Sequence, residues 1–173
     1  MDLTVKEMIV TALFAALTAI GALIAIPIGA VPITLQILFT LTAGALLGPK
    51  LGGLSQILYL LIGAVGLPVY AGGGAGFAYL VGPTGGFLFS FPIAAYIVGR
   101  LSEQIGELEF KGIIISMITG LILIYILGVV GLMVATNMGI KGAITAGVLP
   151  FIIPDLIKIL AGTYLTLRLK NIK

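Results

Sequence analysis

Along the whole chain, apolar runs near the length of a bilayer-spanning helix follow one another, cut only by short charged or Gly/Pro segments. A crossing helix needs about 20 mostly apolar residues. Of 173 residues, 60% are hydrophobic and only 9% charged, too few polar groups to clothe a soluble domain of this size. The pattern predicts an all-α integral membrane protein: one domain, residues 1–173, folded as a compact bundle of six transmembrane helices. A multi-pass protein of the cell (plasma) membrane, with the lipid bilayer as its solvent, follows from that.

Cysteine and histidine are both absent. Their absence removes disulfides, thiolate nucleophiles, imidazole bases and most transition-metal sites, so neither an enzyme nor a metal or other cofactor is expected. The net charge of +3 does not imply nucleic acid, because membrane proteins collect basic residues on the cytoplasmic side. The first apolar run reads as a retained helix, not a signal peptide, since its leader sets Lys6 beside Asp2 and Glu7 and no soluble domain follows.

The predicted spans are 5–26, 33–47, 54–67, 87–101, 112–134 and 143–169. Pro27 and Pro32 bracket a turn after the first, and GPKLGG (48–53) forms a hairpin between the second and third. Segment 68–86, rich in glycine, reads as an irregular loop. Pro92 is expected to kink the fourth span, and Arg100, Glu103, Glu107, Glu109 and Lys111 mark an aqueous segment before the fifth. With both termini cytoplasmic, Lys6, Lys50, Arg100, Lys111, Arg168, Lys170 and Lys173 share that side. Lys141 then lies outside and Lys158 within the membrane, and the glycine-rich loop is external.

Asp155 and Lys158 stand inside the sixth apolar run, where each charge costs roughly 2.5–3.5 kcal/mol on insertion scales. Their spacing of three residues puts them on one helical face. Two readings stand: an ion pair that merely lets the helix insert, or a pair facing a polar cavity, Asp155 accepting and Lys158 donating hydrogen bonds to a ligand. The preceding Pro154 favours the cavity, since a freed carbonyl is tolerated mainly where protein or a cavity surrounds it. The loop supplies the other half of such a site. Gly73, Gly74, Gly76, Gly85 and Gly86 let backbone N–H groups converge on an anion or carbonyl, while Tyr70, Phe77 and Tyr79 give it apolar surface to close as a lid. Gln36 is either a ligand contact or an interhelical hydrogen bond. In the first helix, Ala12/Ala16 and Ala15/Ala19 form small-xxx-small patches, suited to packing within the bundle or to docking another membrane protein.

VPITLQ (31–36), LLGPKLGGLS (46–55), GLPVYAGGGAG (66–76), GPTGG (82–86) and LPFIIPDLIK (149–158) occur here in order. In these motifs the whole chain resembles BioY, the biotin-specific S component of energy-coupling factor (ECF) transporters. The resemblance implies six helices with cytoplasmic termini, biotin bound from outside, and delivery with a transmembrane coupling protein of the EcfT type and two ABC ATPase subunits. It implies that Asp155 and Lys158 meet the ureido ring, whose two N–H donors and one carbonyl acceptor complement them. By the same resemblance the valerate carboxylate meets the glycine-rich loop, the thiophane and aliphatic chain rest on groups such as Tyr79, and Ala12 and Ala16 contact the coupling protein. Some members carry a polar side chain within the glycine run and a tyrosine after GPTGG, where this chain has Gly74 and Phe87; the ligand then leans more on backbone and on the sixth helix.

No GxxxxGK[ST] occurs, so ATP hydrolysis falls to partners. The alternative to a partner-dependent subunit is a stand-alone secondary transporter in which Asp155 takes up a proton.

Overall fold

The computed structural model describes residues 3–105 and 109–169; Asp2, Glu107, Lys170 and Lys173, which entered the charge reading, lie outside the described residues. The first helix, α1 (Val5–Leu23), opens on a capping box: Glu7 N–H donates to the Thr4 hydroxyl at 3.2 Å while Thr4 N–H donates to the Glu7 carboxylate at 2.8 Å. It stops earlier than the predicted residue 26. Ala25–Ile26 (β1) instead pairs antiparallel with Ile33–Thr34 (β2), Ala25 opposite Thr34 and Ile26 opposite Ile33. Pro27 and Pro32 have no N–H to continue a helix, so the chain satisfies its backbone across a two-stranded ribbon instead.

The next element, α2 (Gln36–Ala64), doubles back on itself at Gly48, whose φ of 83° and ψ of 178° are not helical. Its cross-contacts converge on that residue. Gln36 bonds to Tyr59 and Thr40 to Gln56, and Gly44 lies against Gly52, the pairing of an antiparallel hairpin. Only glycine adopts the required backbone freely, and Pro49 opens the returning arm, where its missing N–H is harmless. The GPKLGG turn therefore sits where the sequence places it.

Segment 68–86 is less irregular than expected: it holds a 3₁₀ turn (Ala71–Gly73) and one helical turn, α3 (Phe77–Leu80). Gly85 and Gly86 are not loop residues at all, because they begin α4 (Gly85–Gln104), where Gly86 meets the backbone of Gly131 on α5 (Phe110–Thr136). The predicted last span begins earlier, at Ile140, and is interrupted. It comprises α6 (Ile140–Gly147), a 3₁₀ turn (Leu149–Phe151) and α7 (Ile152–Leu169). Pro150 ends regular hydrogen bonding there, and Pro154 falls in the first turn of α7, where no N–H is needed.

Five helical segments among the described residues are long and apolar enough to cross a membrane: α1, α2, α4, α5 and the 140–169 unit. Their outward faces are apolar, as with Leu13, Ile20, Ile122, Ile126 and Ile157, while Thr18, Thr40, Ser55, Gln56 and Ser90 are buried. The surface is thus apolar, as is most of the interior, and each of these buried polar groups has a hydrogen-bond partner within the bundle, as a bilayer requires. Gln56 anchors the interior, donating to Thr18 on α1 at 3.2 Å and accepting from Thr40 at 3.0 Å. Lys6, Lys50 and Arg100 line one groove together with Leu169, so the start of α1, the turn of α2 and the ends of α4 and α7 share one end of the bundle.

Candidate ligand-binding site

Under the glycine-rich segment and the β1–β2 ribbon lies a hollow bounded by Thr34, Gln36, Tyr79, Phe87, Phe91, Tyr125, Phe151 and Lys158. Its polar floor comes from α5 and α7. Lys158 Nζ donates to Asp155 Oδ1 at 2.6 Å, and the Tyr125 hydroxyl donates to Asp155 Oδ2 at 2.8 Å. Asp155 is fully buried and Lys158 nearly so, and theirs is the one ion pair among the described residues. With an opposite charge and a phenol on its two oxygens, the carboxylate is compensated well enough to sit inside a bundle. Asp155 itself lies behind the hollow, and Lys158 and Tyr125 face it.

The wall on α2 is also polar. Gln36 Oε1 accepts from the Thr34 hydroxyl at 2.8 Å, and its Nε2 donates to the Tyr59 hydroxyl at 2.7 Å, which in turn donates to the Val69 carbonyl at 3.0 Å. Of the two readings of Gln36, the hydrogen bond is present, tying the two arms of α2, and the side chain also lines the hollow. Phe87, Phe91 and Phe151 supply flat apolar surface opposite.

Tyr79 closes the top. Its hydroxyl donates to the Ala71 carbonyl at 3.0 Å, and its ring stacks on Tyr70 with centroids 5.2 Å apart. Gly74 makes this possible, since a Cβ there would stand 2.1 Å from the Tyr79 ring. Gly73 and Gly76 hold positive φ angles of 84° and 86°, which bend the segment over the hollow. Tyr70 does not line the hollow: it is buried against Gly63, its hydroxyl donating to the Leu60 carbonyl at 2.6 Å. Gly85 and Gly86, in α4, are likewise packing positions.

As closed, the hollow has about 40 Å³ of free space, enough for a few waters and far below the roughly 300 Å³ or more of a small-molecule site. A molecule of that size does not fit the hollow with its lining in this arrangement. Tyr125 was not among the sequence candidates. Its signal was a single phenol in the most apolar run of the chain, ILIYILG, where a hydroxyl needs a partner. Of the small-residue positions on α1, Ala15 is buried and Ala19 partly so, packed against the core, whereas Ala12 and Ala16 are exposed.

The fold defines a multi-pass membrane bundle with a small polar-floored hollow beneath a glycine-rich segment. Comparison with known proteins narrows the class. The BioY family model matches residues 1–173. A probable biotin transporter BioY of Pyrococcus horikoshii is 43% identical, covering 96% of this chain and 97% of the relative. The biotin transporter BioY of Thermotoga maritima is 41% identical, covering 97% and 98%. Among solved structures, the crystal structure of the S-component for biotin from an ECF-type ABC transporter superposes with a TM-score of 0.88 at 30% identity, covering 98% of this chain and 95% of that one. This chain belongs to the BioY family.

Proposed function

We propose that the chain is the biotin-binding S component of an ECF-type importer, taking biotin from the external face and releasing it inward with an EcfT-type coupling protein and two ABC ATPase subunits. The observation that carries this reading is the match, over nearly the full length, to a biotin S-component structure. The hollow adds chemical support. Lys158, Asp155 and Tyr125 offer donors and acceptors of the kind a cyclic urea needs, and three phenylalanines suit the thiophane and aliphatic chain; the N–H groups of Gly73, Gly74 and Gly76 are bonded to the Tyr70, Ala71 and Gly63 carbonyls, so a contact between the valerate carboxylate and this segment requires it to rearrange. Tyr79 and its segment act as the lid.

Counted across the Gly48 reversal, the bundle makes six crossings with both termini cytoplasmic. The grouping of Lys6, Lys50 and Arg100 at one end supports that orientation. The chain has no nucleotide site of its own and uses no cofactor, and the exposed Ala12 and Ala16 form the face that meets the coupling protein.

Uptake measurements test the assembly. Membranes holding the chain with coupling protein and ATPases are expected to accumulate biotin on ATP hydrolysis, and the Ala12→Leu/Ala16→Leu variant to lose most of that uptake while binding biotin as tightly as wild type. Accumulation by the chain alone, driven by a proton gradient through Asp155, contradicts the partner-dependent reading.

A further inference from the structure

At the end of the bundle away from the hollow, two grooves open side by side. One lies between α1, the reversal of α2 and α4 and holds about 650 Å³ of free space; the other lies between the returning arm of α2 and α4 and holds about 640 Å³. They share Glu7, Pro49, Lys50, Leu51 and Tyr96, so they meet at one mouth. Lys6, Lys50 and Arg100 stand there, all exposed, and none of them pairs with a carboxylate among the described residues. Of the acidic side chains at the mouth, Glu7 is spent on Thr4, accepting from its N–H and its hydroxyl at 2.8 Å each, which leaves Glu103 against three cations among the described lining residues. Away from the mouth the walls are apolar: Val10, Leu13 and Leu17 line one groove, Leu54, Ile57 and Ile93 the other. Tyr96 stands half exposed at their junction, and tyrosine is at home where headgroups give way to hydrocarbon.

We infer that the two grooves hold one anionic phospholipid of the adjoining leaflet, its phosphate met by Lys6, Lys50 and Arg100 and its two acyl chains lying one in each groove. Basic recesses between helices at the cytoplasmic surface suit acidic headgroups. A zwitterionic lipid offers the same chains but brings a cation of its own to a mouth already rich in them. The site is separate from the alanine face: Val10, Leu13 and Leu17 lie about 110° round α1 from Ala12 and Ala16, so a lipid here leaves those two uncovered. From the proposed function the inference takes only the leaflet that supplies the lipid.

Native mass spectrometry of the detergent-solubilised chain tests it, with dioleoyl phosphatidylglycerol and dioleoyl phosphatidylcholine as probes; both reach a solubilised chain from any side, so the outcome does not depend on its orientation in the cell. Wild type is expected to retain one phosphatidylglycerol per chain about 10-fold more strongly than phosphatidylcholine. Lys6→Gln/Lys50→Gln/Arg100→Gln is expected to bring the two lipids within about threefold of each other. Lys111→Gln/Lys141→Gln, which removes exposed cations outside the grooves, is expected to keep the preference. Thermal unfolding and biotin affinity stay at wild-type values in both variants. Four results overturn the inference: equal retention of the two lipids by wild type, an undiminished preference in the groove variant, equal loss of preference in both variants, or displacement of phosphatidylglycerol by an equal concentration of glycerol 3-phosphate, which would make this a site for free phosphate. Failure of the wild-type chain to bind biotin contradicts the function proposed above and leaves the lipid measurement readable.

Discussion

Asp155→Ala is expected to reduce biotin affinity by about 100-fold or more and to destabilise the detergent-solubilised chain by about 3–5 kcal/mol. Both effects have one source. The carboxylate holds Lys158 at 2.6 Å and Tyr125 at 2.8 Å, and without it a buried ammonium and a buried phenol lose their partner together. Stability and binding separate in a second variant, Asp155→Leu/Lys158→Met, which removes the charges as a pair. Replacing a buried ion pair by apolar groups of similar size is often neutral or stabilising, so this variant is expected to lose only the roughly 1–3 kcal/mol of a Tyr125 hydroxyl left without its acceptor, less than Asp155→Ala loses, and still bind no biotin. Calorimetry and thermal unfolding on the two variants give the comparison. A pair kept only to make insertion tolerable would leave binding intact in the double variant.

The second large effect belongs to the crossing of α2 and α4. A Cβ on Gly99 would lie 2.4 Å from the Pro49 nitrogen and 2.5 Å from the Gly48 carbonyl carbon. Both are backbone atoms at the reversal of α2, and neither can swing aside. Gly99→Val is therefore expected to exceed the usual 1–3 kcal/mol cost of overpacking and to prevent recovery of monodisperse protein. Gly53→Ala serves as the control, since its nearest neighbour is the Pro92 carbonyl at an ordinary 3.4 Å, and it should leave the melting temperature within a few degrees of wild type. Equal behaviour of the two variants would mean that this contact does not set the helix crossing.

Much of the bundle was legible because lipid makes sequence patterns blunt. Long apolar runs mark helices, and Gly48 followed by Pro49 marks a reversal that few other residue pairs can make. The misreadings have local causes. Hydropathy could not see that residues after Leu23 pair with Ile33–Thr34, because two-residue strands carry no periodic signal. Nor could it place Gly85 and Gly86 in α4, since glycine reads as loop until a neighbouring helix is known to approach its backbone. Lys158 and Asp155 stood out because charge is expensive in a membrane. Tyr125 did not, since a phenol costs little until its oxygen must find a partner, and the partner lies 30 positions away on another helix. The division of α1 into Ala15, turned inward, and Ala12 and Ala16, turned outward, likewise waited on knowing which side of the helix the bundle occupies.

Titration of the isolated, detergent-solubilised chain with biotin bears on the account most directly. The expected result is a saturable heat with one biotin per chain, abolished in Asp155→Leu/Lys158→Met. No saturable heat from folded wild-type protein, or binding undiminished in that variant, would contradict it.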